Sequence, residues 1–457
     1  NLDKNIFREY DIRGKYPSQI NEDVAYTIGR AFGSYLKEKG KVDCVVGRDN
    51  RYSSEELAKA FITGVTESGL HVLNIGLVTT PMYYYACLKT QTDVGCMITA
   101  SHNPKDDNGF KMSFGNYQNA KGQEIVDFYH YVVAQQFVTG DGICSFMNVK
   151  ESYIDYLLSS ITISKPLQVI IDCGNGTTTT IVRDVFDRVD VTYILLYGNS
   201  DPNFPNHHPD PSVDENLRVL GNAVVELKAD LGLAFDGDGD RVGVVDNQGR
   251  IVRMDQLMAL FVRSITKEHP HARFLYDVKC GMTLTDEIEQ NQAEGIMVRT
   301  GNSYTKALTK ENDCILGGEY SGHIYFRDKF LGFDTGIYAG LRVLELVSRS
   351  PETLGQMVDS LSTYYSTPEI KYTSSDEKKF EVIQKMKEYV QGKHYPFLEV
   401  DGLRVQFEDG WVSVRASNTG PNLTMRVEAK SEERKEELLQ EFSKELEKYN
   451  SLLLGKK

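Results

Sequence analysis

A chain of 457 residues, 40% hydrophobic and 25% charged, is long enough to bury several cores without disulfide staples, and at about 150 residues per domain it calls for three or four domains. Its 51 basic against 65 acidic side chains leave a net charge of −14, which argues against a nucleic-acid or membrane-surface binder, since either would show a basic stripe. No apolar run approaches the roughly 18 residues needed to span a bilayer, no signal peptide is visible, and seven scattered cysteines without CxxC spacing fit reduced thiols, so a cytoplasmic, soluble protein is expected.

In chain order, Asn21 is placed to cap a helix whose apolar positions Val24, Ile28, Phe32 and Leu36 recur at helical spacing. Glu22 and Asp23 occupy its first turn, Lys37 and Lys39 its last, and Gly40 closes it. An apolar run over 42–46 predicts a strand, and Ser53-Ser54-Glu55-Glu56 reads as a capping box opening a second helix to Thr66. Strands are predicted over 70–75 and 94–98. A second round has strands at 169–171 and 191–196 with a helix at 181–186 between them, and a third round starts at 274–278. Short β-branched runs separated by helices predict α/β layers with mixed, largely parallel sheets.

The C-terminal region changes character. Glu399-Val400-Asp401-Gly402-Leu403-Arg404-Val405 predicts a hairpin with an Asp-Gly turn. Strands at 412–415 and 423–427 follow, then a charged helix after Ser431 buried through Leu438, Phe442 and Leu446. This is an α+β pattern. Gly/Pro-rich joints near 147, 249 and 365 divide the chain into 1–147, 148–249, 250–365 and 366–457, three α/β domains and one α+β domain.

The most informative hexapeptide is Asp236-Gly237-Asp238-Gly239-Asp240-Arg241. Glycines between carboxylates let the backbone curl until three oxygens point at one centre, which suits a hard divalent cation. An EF-hand is excluded: Arg241 and Asn247 stand where it needs glycine and glutamate, and the flanks at 231–235 and 242–245 read as strands. A bland acidic turn is the weaker reading, because three convergent acids between buried strands repel one another without a cation. Three ligands leave room for water or a phosphate oxygen, which favours Mg²⁺.

Thr99-Ala100-Ser101-His102-Asn103-Pro104 follows a predicted strand, so Ser101 falls at a carboxyl end, where open α/β sheets place ligands. No GxSxG elbow exists for a hydrolase serine, and a plain Ser/Asn/Pro turn stays open. Lys111 is near enough in sequence to neutralise a phosphate at Ser101. Gly317-Gly318-Glu319-Tyr320-Ser321-Gly322-His323 offers an acid, a hydroxyl and an imidazole suited to sugar hydroxyls, or is a glycine turn with a satisfied histidine. Arg415-Ala416-Ser417-Asn418-Thr419-Gly420-Pro421 reads as a phosphate cradle or a capped loop. Tyr10-Asp11-Ile12-Arg13-Gly14 is weak alone, and Asp172-Cys173-Gly174-Asn175-Gly176 lacks the third glycine of a dinucleotide turn.

Taken together, Tyr10 to Gly14, Thr99 to Pro104, Asp236 to Arg241, Gly318 to His323 and Arg415 to Pro421 resemble, in order, the motifs of the α-D-phosphohexomutase family, in its bacterial phosphomannomutase/phosphoglucomutase branch. The resemblance runs over essentially the whole chain. It implies four domains around a central cleft and interconversion of hexose 1-phosphate and hexose 6-phosphate, of mannose or glucose, through a phosphoserine and a hexose 1,6-bisphosphate. In that scheme Ser101 carries the phosphoryl group and, with Asp236, Asp238 and Asp240, holds Mg²⁺. Lys111 and Arg241 stabilise the transferring group, and Arg13 lies beside the reacting end. Glu319 and Ser321 hold sugar hydroxyls, and His323 is either a general base or acid or a hydrogen-bond donor. Arg415, Ser417, Asn418 and Thr419 grip the non-reacting phosphate with Lys279 and Tyr10, and His102 makes a phosphate contact or supports its loop. The C-terminal domain is expected to close as a lid.

Three departures limit the transfer. Asn302 stands where the branch carries a histidine, so it can bond substrate without moving a proton; Gly420 replaces a threonine and Tyr320 a methionine. Two rivals remain open from the residues: a haloacid-dehalogenase-type phosphotransferase with Asp236 as nucleophile, and a non-catalytic protein that binds a sugar phosphate or a divalent metal. The small-molecule partner is a phosphosugar in the leading reading, no nucleic acid or membrane is expected, and a closed four-domain cleft needs no partner chain, so a monomer is expected.

Overall fold

The computed structural model describes residues 2–418 and 420–455. They gather into two compact units. The first runs to Arg253 and adds Ser321–Met357; the second comprises Met254–Tyr320 and the chain from Val358 onward.

The first unit holds two sheets. In the seven-stranded one, Asp43–Arg48 lies between His71–Leu77 and Gly95–Ile98, parallel to both, and Cys144–Phe146 extends it in parallel beyond His71–Leu77. On the other side Asp107–Gly115 pairs antiparallel with Gly95–Ile98 and with Ile12–Lys15. The helix Glu22–Glu38 forms as its spacing predicts, with the Asn21 side chain accepting from the Val24 amide. Its buried Ile28, Phe32 and Leu36 join Phe61, Phe110 and Phe128 in one core. The helix Ser54–Glu67 also forms, but without the capping box: the Ser53 hydroxyl makes no cap bond and accepts instead from Asn108 Nδ2 at 2.7 Å. The five-stranded sheet runs Ile251–Val252, Val242–Val245, Leu231–Phe235, Leu167–Asp172, Val191–Leu196, parallel among the last three and antiparallel elsewhere.

In the second unit Glu294–Val298, Arg273–Asp277 and Leu316–Gly318 run parallel. A six-stranded antiparallel sheet is built around Asn422–Ala429, Gly410–Ala416 and Leu403–Phe407. The terminal helix Glu432–Leu453 is capped by the Ser431 side chain, and Leu438, Phe442 and Leu446 are fully buried against that sheet. The predicted hairpin exists with a different turn. Phe397–Leu398 pairs with Leu403–Phe407, and Leu398 faces Arg404, leaving residues 399–402 between the strands. Of the predicted Asp-Gly pair only Gly402 is left-handed, with φ +64°. The Asp401 carboxylate explains the change: it accepts from the Thr300 amide at 2.9 Å and from Arg415 Nε at 3.1 Å.

These folds put the candidate loops where parallel α/β sheets put function, just beyond strand carboxyl ends. Ser101 follows Gly95–Ile98, Asp236 follows Leu231–Phe235, Lys279 follows Arg273–Asp277, and Glu319 follows Leu316–Gly318.

Candidate active site

The strands Leu231–Phe235 and Val242–Val245 pair with Phe235 opposite Val242, so the hexapeptide between them must reverse tightly. It does so by bonding to itself: Asp236 Oδ1 accepts from the Gly239 and Arg241 amides at 3.0 and 3.1 Å. All three carboxylates are buried, and one oxygen of each lies within 4.8 Å of the others. Burial and the two neighbouring acids push Asp236 well above the usual carboxylate range. Asp240, despite its burial, is held below that range by Lys111 and His323.

Ser101 meets this cluster from the first sheet. Its Oγ donates to Asp238 Oδ1 at 3.0 Å and stands 3.4 Å from Asp236 Oδ2. The two loops touch closely enough to require glycine at 237, where a Cβ would fall 2.3 Å from the Ser101 carbonyl oxygen. Lys111, buried in the strand Asp107–Gly115, places Nζ 2.8 Å from Asp238 and 3.0 Å from Asp240. Thr80 Oγ1 donates to Asp238 at 2.6 Å. Asp240 Oδ1 is buried without a hydrogen-bond partner, an orphaned anionic oxygen beside two more carboxylates. That donor set fits a hard divalent cation.

Arg241, His102 and His323 lie close to the same centre. Arg241 Nε bonds Asp236 at 3.0 Å, and its NH2 bonds Asp210 at 3.0 Å. Asp210, although largely buried, is held well below the usual range by Arg241. His102 Nδ1 lies 3.2 Å from Ser101 Oγ, and desolvation and the neighbouring Arg241 charge drive its pKa well down. Arg13 bonds Asp11 at 2.5 Å and Asn103 Oδ1 at 3.0 Å. His323 Nδ1 is 2.8 Å from Asp334 and 4.0 Å from Asp240. Tyr10 is half-buried, and the Ser321 carbonyl accepts from Arg241 NH1 at 3.1 Å.

In the second unit Lys279 Nζ is 3.0 Å from Glu369, and Arg415 is paired with Asp401. Glu319, almost fully buried, accepts from the Gly301 amide at 2.7 Å, one residue before Asn302 opens its helix. The loop after Ala416 is tied down through Lys379, which donates to the Ser417 and Gly420 carbonyls at 2.7 and 3.1 Å. Asn418 is half-buried, and Thr419 lies outside the described residues.

Sequence reasoning did not find Asp210, Asp334, Glu369 or Asp401, each a carboxylate beside a candidate cation or imidazole. Asp210 carried a signal as the acid of a rigid His-His-Pro-Asp-Pro run at 207–211, and Asp401 was read only as the acid of a turn.

Four family descriptions match the chain in succession. They are phosphoglucomutase/phosphomannomutase alpha/beta/alpha domains I, II and III, over residues 4–130, 151–249 and 253–365, and the C-terminal domain of the same family over 369–445. The chain belongs to the phosphoglucomutase/phosphomannomutase family, and its architecture is the four-domain one those descriptions define. It is 39% identical to a phosphomannomutase/phosphoglucomutase of Pseudomonas syringae pv. tomato, covering 98% of this chain and 96% of that one. It is 37% identical to a phosphoglucomutase of Neisseria gonorrhoeae, over 98% and 97%. A solved phosphoglucomutase/phosphomannomutase family protein of Burkholderia thailandensis superposes with a TM-score of 0.92 at 34% identity, over 98% of both chains.

Proposed function

We propose that this chain interconverts hexose 1-phosphates and hexose 6-phosphates of mannose, glucose or both, through a phosphorylated Ser101 and a hexose 1,6-bisphosphate. The observation that carries the reading is the convergence of Ser101 Oγ, Asp236 and Asp238, with Lys111 and Arg241 bonded to those same carboxylates. The named activities of full-length relatives support it.

Asp236, Asp238 and Asp240, with the phosphoryl oxygen on Ser101, would hold Mg²⁺, which supplies Lewis-acid stabilisation of phosphoryl charge. The phosphoryl group leaves Ser101 Oγ for O6 of a bound hexose 1-phosphate: the Oγ–P bond breaks as the P–O6 bond forms, and the proton lost by the O6 hydroxyl is matched by the one Ser101 Oγ regains. Lys111 and Arg241 lie against the acids that face this group and offset the charge spread over its oxygens. His323, oriented by Asp334, takes up the hydroxyl proton or steadies the hydroxyl. The bisphosphate then turns over, its 1-phosphoryl group returns to Ser101, and hexose 6-phosphate departs. Arg13 is read as lying beside the reacting end, and His102 as a phosphate contact or a support for its loop. Glu319, Ser321 and Asn302 are read as contacts to sugar hydroxyls, and Lys279, Tyr10, Arg415, Ser417, Asn418 and Thr419 as holders of the non-reacting phosphate.

The protein is read as a cytoplasmic monomer. Six of its seven cysteines are buried, in keeping with reduced thiols, and no helix among the described residues is long and apolar enough to cross a membrane. The deciding experiment is incubation with glucose 1,6-bisphosphate and Mg²⁺, followed by peptide mass spectrometry. A hydroxylamine-stable phosphate on Ser101 is the expected result. A hydroxylamine-labile phosphate on Asp236 would replace this reading with the aspartyl-phosphate one, and a protein without mutase turnover would be a binding protein.

A further inference from the structure

Ser101 is held at φ +56°, in the left-handed region, which a residue with a Cβ occupies only where its surroundings over-determine it. Its contacts to Asp236 and Asp238 cannot do this through a catalytic cycle. They use the hydroxyl proton, which is gone once Oγ becomes a phosphate ester, and the ester then brings negative charge beside buried acids.

The loop is held instead through its main chain, by Arg51. The side chain of Arg51 is 0% exposed, and every one of its five N–H donors is used. NH2 donates to the carbonyls of Ser101 at 3.1 Å and Asn103 at 2.8 Å. NH1 donates to those of Pro104 at 2.7 Å and Asp107 at 3.1 Å. Nε donates to Asp49 at 3.2 Å. The Asp49 carboxylate balances the guanidinium charge and also accepts from Thr99 Oγ1 at 2.6 Å, while Thr99 Oγ1 accepts from the Ser101 amide at 2.9 Å. Phe204 covers the guanidinium, its ring centre 5.5 Å away. Asp49 and Thr99 follow the adjacent parallel strands Asp43–Arg48 and Gly95–Ile98, so the brace is anchored in the sheet.

We infer that Arg51, fixed by Asp49 and Thr99, is a positioning residue for phosphoryl transfer: it grips the loop by main-chain carbonyls alone, and so keeps Ser101 in register whether or not Oγ carries phosphate. The inference rests on the reading of Ser101 as the phosphoryl carrier. A lysine in place of Arg51 keeps the charge but lacks the planar fork that spans four carbonyls. Valine in place of Thr99 keeps the shape and removes the link from Asp49 to the Ser101 amide.

The test takes the full chain as wild type, Arg51→Lys, Thr99→Val and Ser101→Ala, charges each with glucose 1,6-bisphosphate, and measures phosphate on Ser101, melting, kcat and KM. Expected are a phosphorylated wild type, cooperative melting of both brace variants, and KM within about threefold of wild type. Expected kcat is lower by roughly 100-fold in Arg51→Lys and by about tenfold in Thr99→Val. Phosphate on Ser101 with unchanged kcat in the folded variants, or a rise in KM alone, overturns the brace. Should Arg51→Lys not fold, Thr99→Val decides by the same criteria. A wild type that takes no phosphate on Ser101 overturns the phosphoserine reading itself, and the inference with it.

Discussion

Lys111 Nζ stands 2.8 Å from Asp238, and both side chains are almost wholly buried. The ammonium also reaches Asp240 at 3.0 Å, so one cation serves two of the three acids. Breaking a buried pair leaves an uncompensated charge, at a cost of about 3–5 kcal/mol. Lys111→Met is therefore expected to melt markedly lower in EDTA and to regain much of that loss in saturating Mg²⁺. Its kcat should fall by at least about 100-fold, since the stabilising cation is gone. A variant whose melting ignores both EDTA and Mg²⁺ would separate Lys111 from the metal cluster.

Asp238 is bonded by Ser101, Thr80 and Lys111 together. Asp238→Asn keeps the shape while removing the charge. The expected outcome is a loss of Mg²⁺ binding, read by calorimetry on the unphosphorylated protein, alongside loss of turnover. Unchanged Mg²⁺ affinity would move the metal elsewhere.

Much of this centre was legible in the sequence because it is local. Carboxylates alternating with glycine between two apolar runs predict a tight reversal, and the strands Leu231–Phe235 and Val242–Val245 bound it as expected. The cap at Asn21 was legible for the same reason, and so was the charged helix that follows Ser431. Failures came where a distant partner won. Asn108 took the Ser53 hydroxyl from its capping box across 55 positions, and Arg415 and Thr300 took Asp401 from the turn. Asp210 and Arg51 act across loops joined only by the fold, and no period or spacing in a single chain encodes that.

His207 gives a pH dependence with a definite sign. Its Nε2 lies 2.8 Å from Asp172 and its Nδ1 lies 2.6 Å from the His208 carbonyl oxygen. Both neighbours are acceptors, so the ring is fully satisfied only when both nitrogens carry protons. Burial opposes that charge, but Asp172 outweighs it and raises the pKa above its ordinary value. A raised cationic group stabilises fully below its unfolded value, about 6.5, and this contribution is lost as pH climbs through the folded value. His207→Gln should thus cost about 1–3 kcal/mol at pH 6 and distinctly less at pH 9. A melting difference that stays constant from pH 6 to pH 9 would mean a neutral ring.

In the second unit each candidate phosphate-binding cation already has a carboxylate. Glu369 sits 3.0 Å from Lys279, and Asp401 sits 3.1 Å from Arg415. Glu369 is held below the usual range, its burial outweighed by Lys279, so it is an anion competing with any phosphate for that ammonium. The two substitutions should then move KM in opposite directions. Arg415→Ala removes a contact made equally in the ground and transition states, which raises KM by roughly 10-fold or more and leaves kcat within a few fold. Glu369→Gln removes the competitor, keeps the shape, and should lower KM for the phosphosugar while flattening its rise with salt. Steady-state kinetics at two ionic strengths reads both effects. Were Glu369→Gln instead to raise KM, the carboxylate would be holding Lys279 in place for the phosphate rather than competing with it.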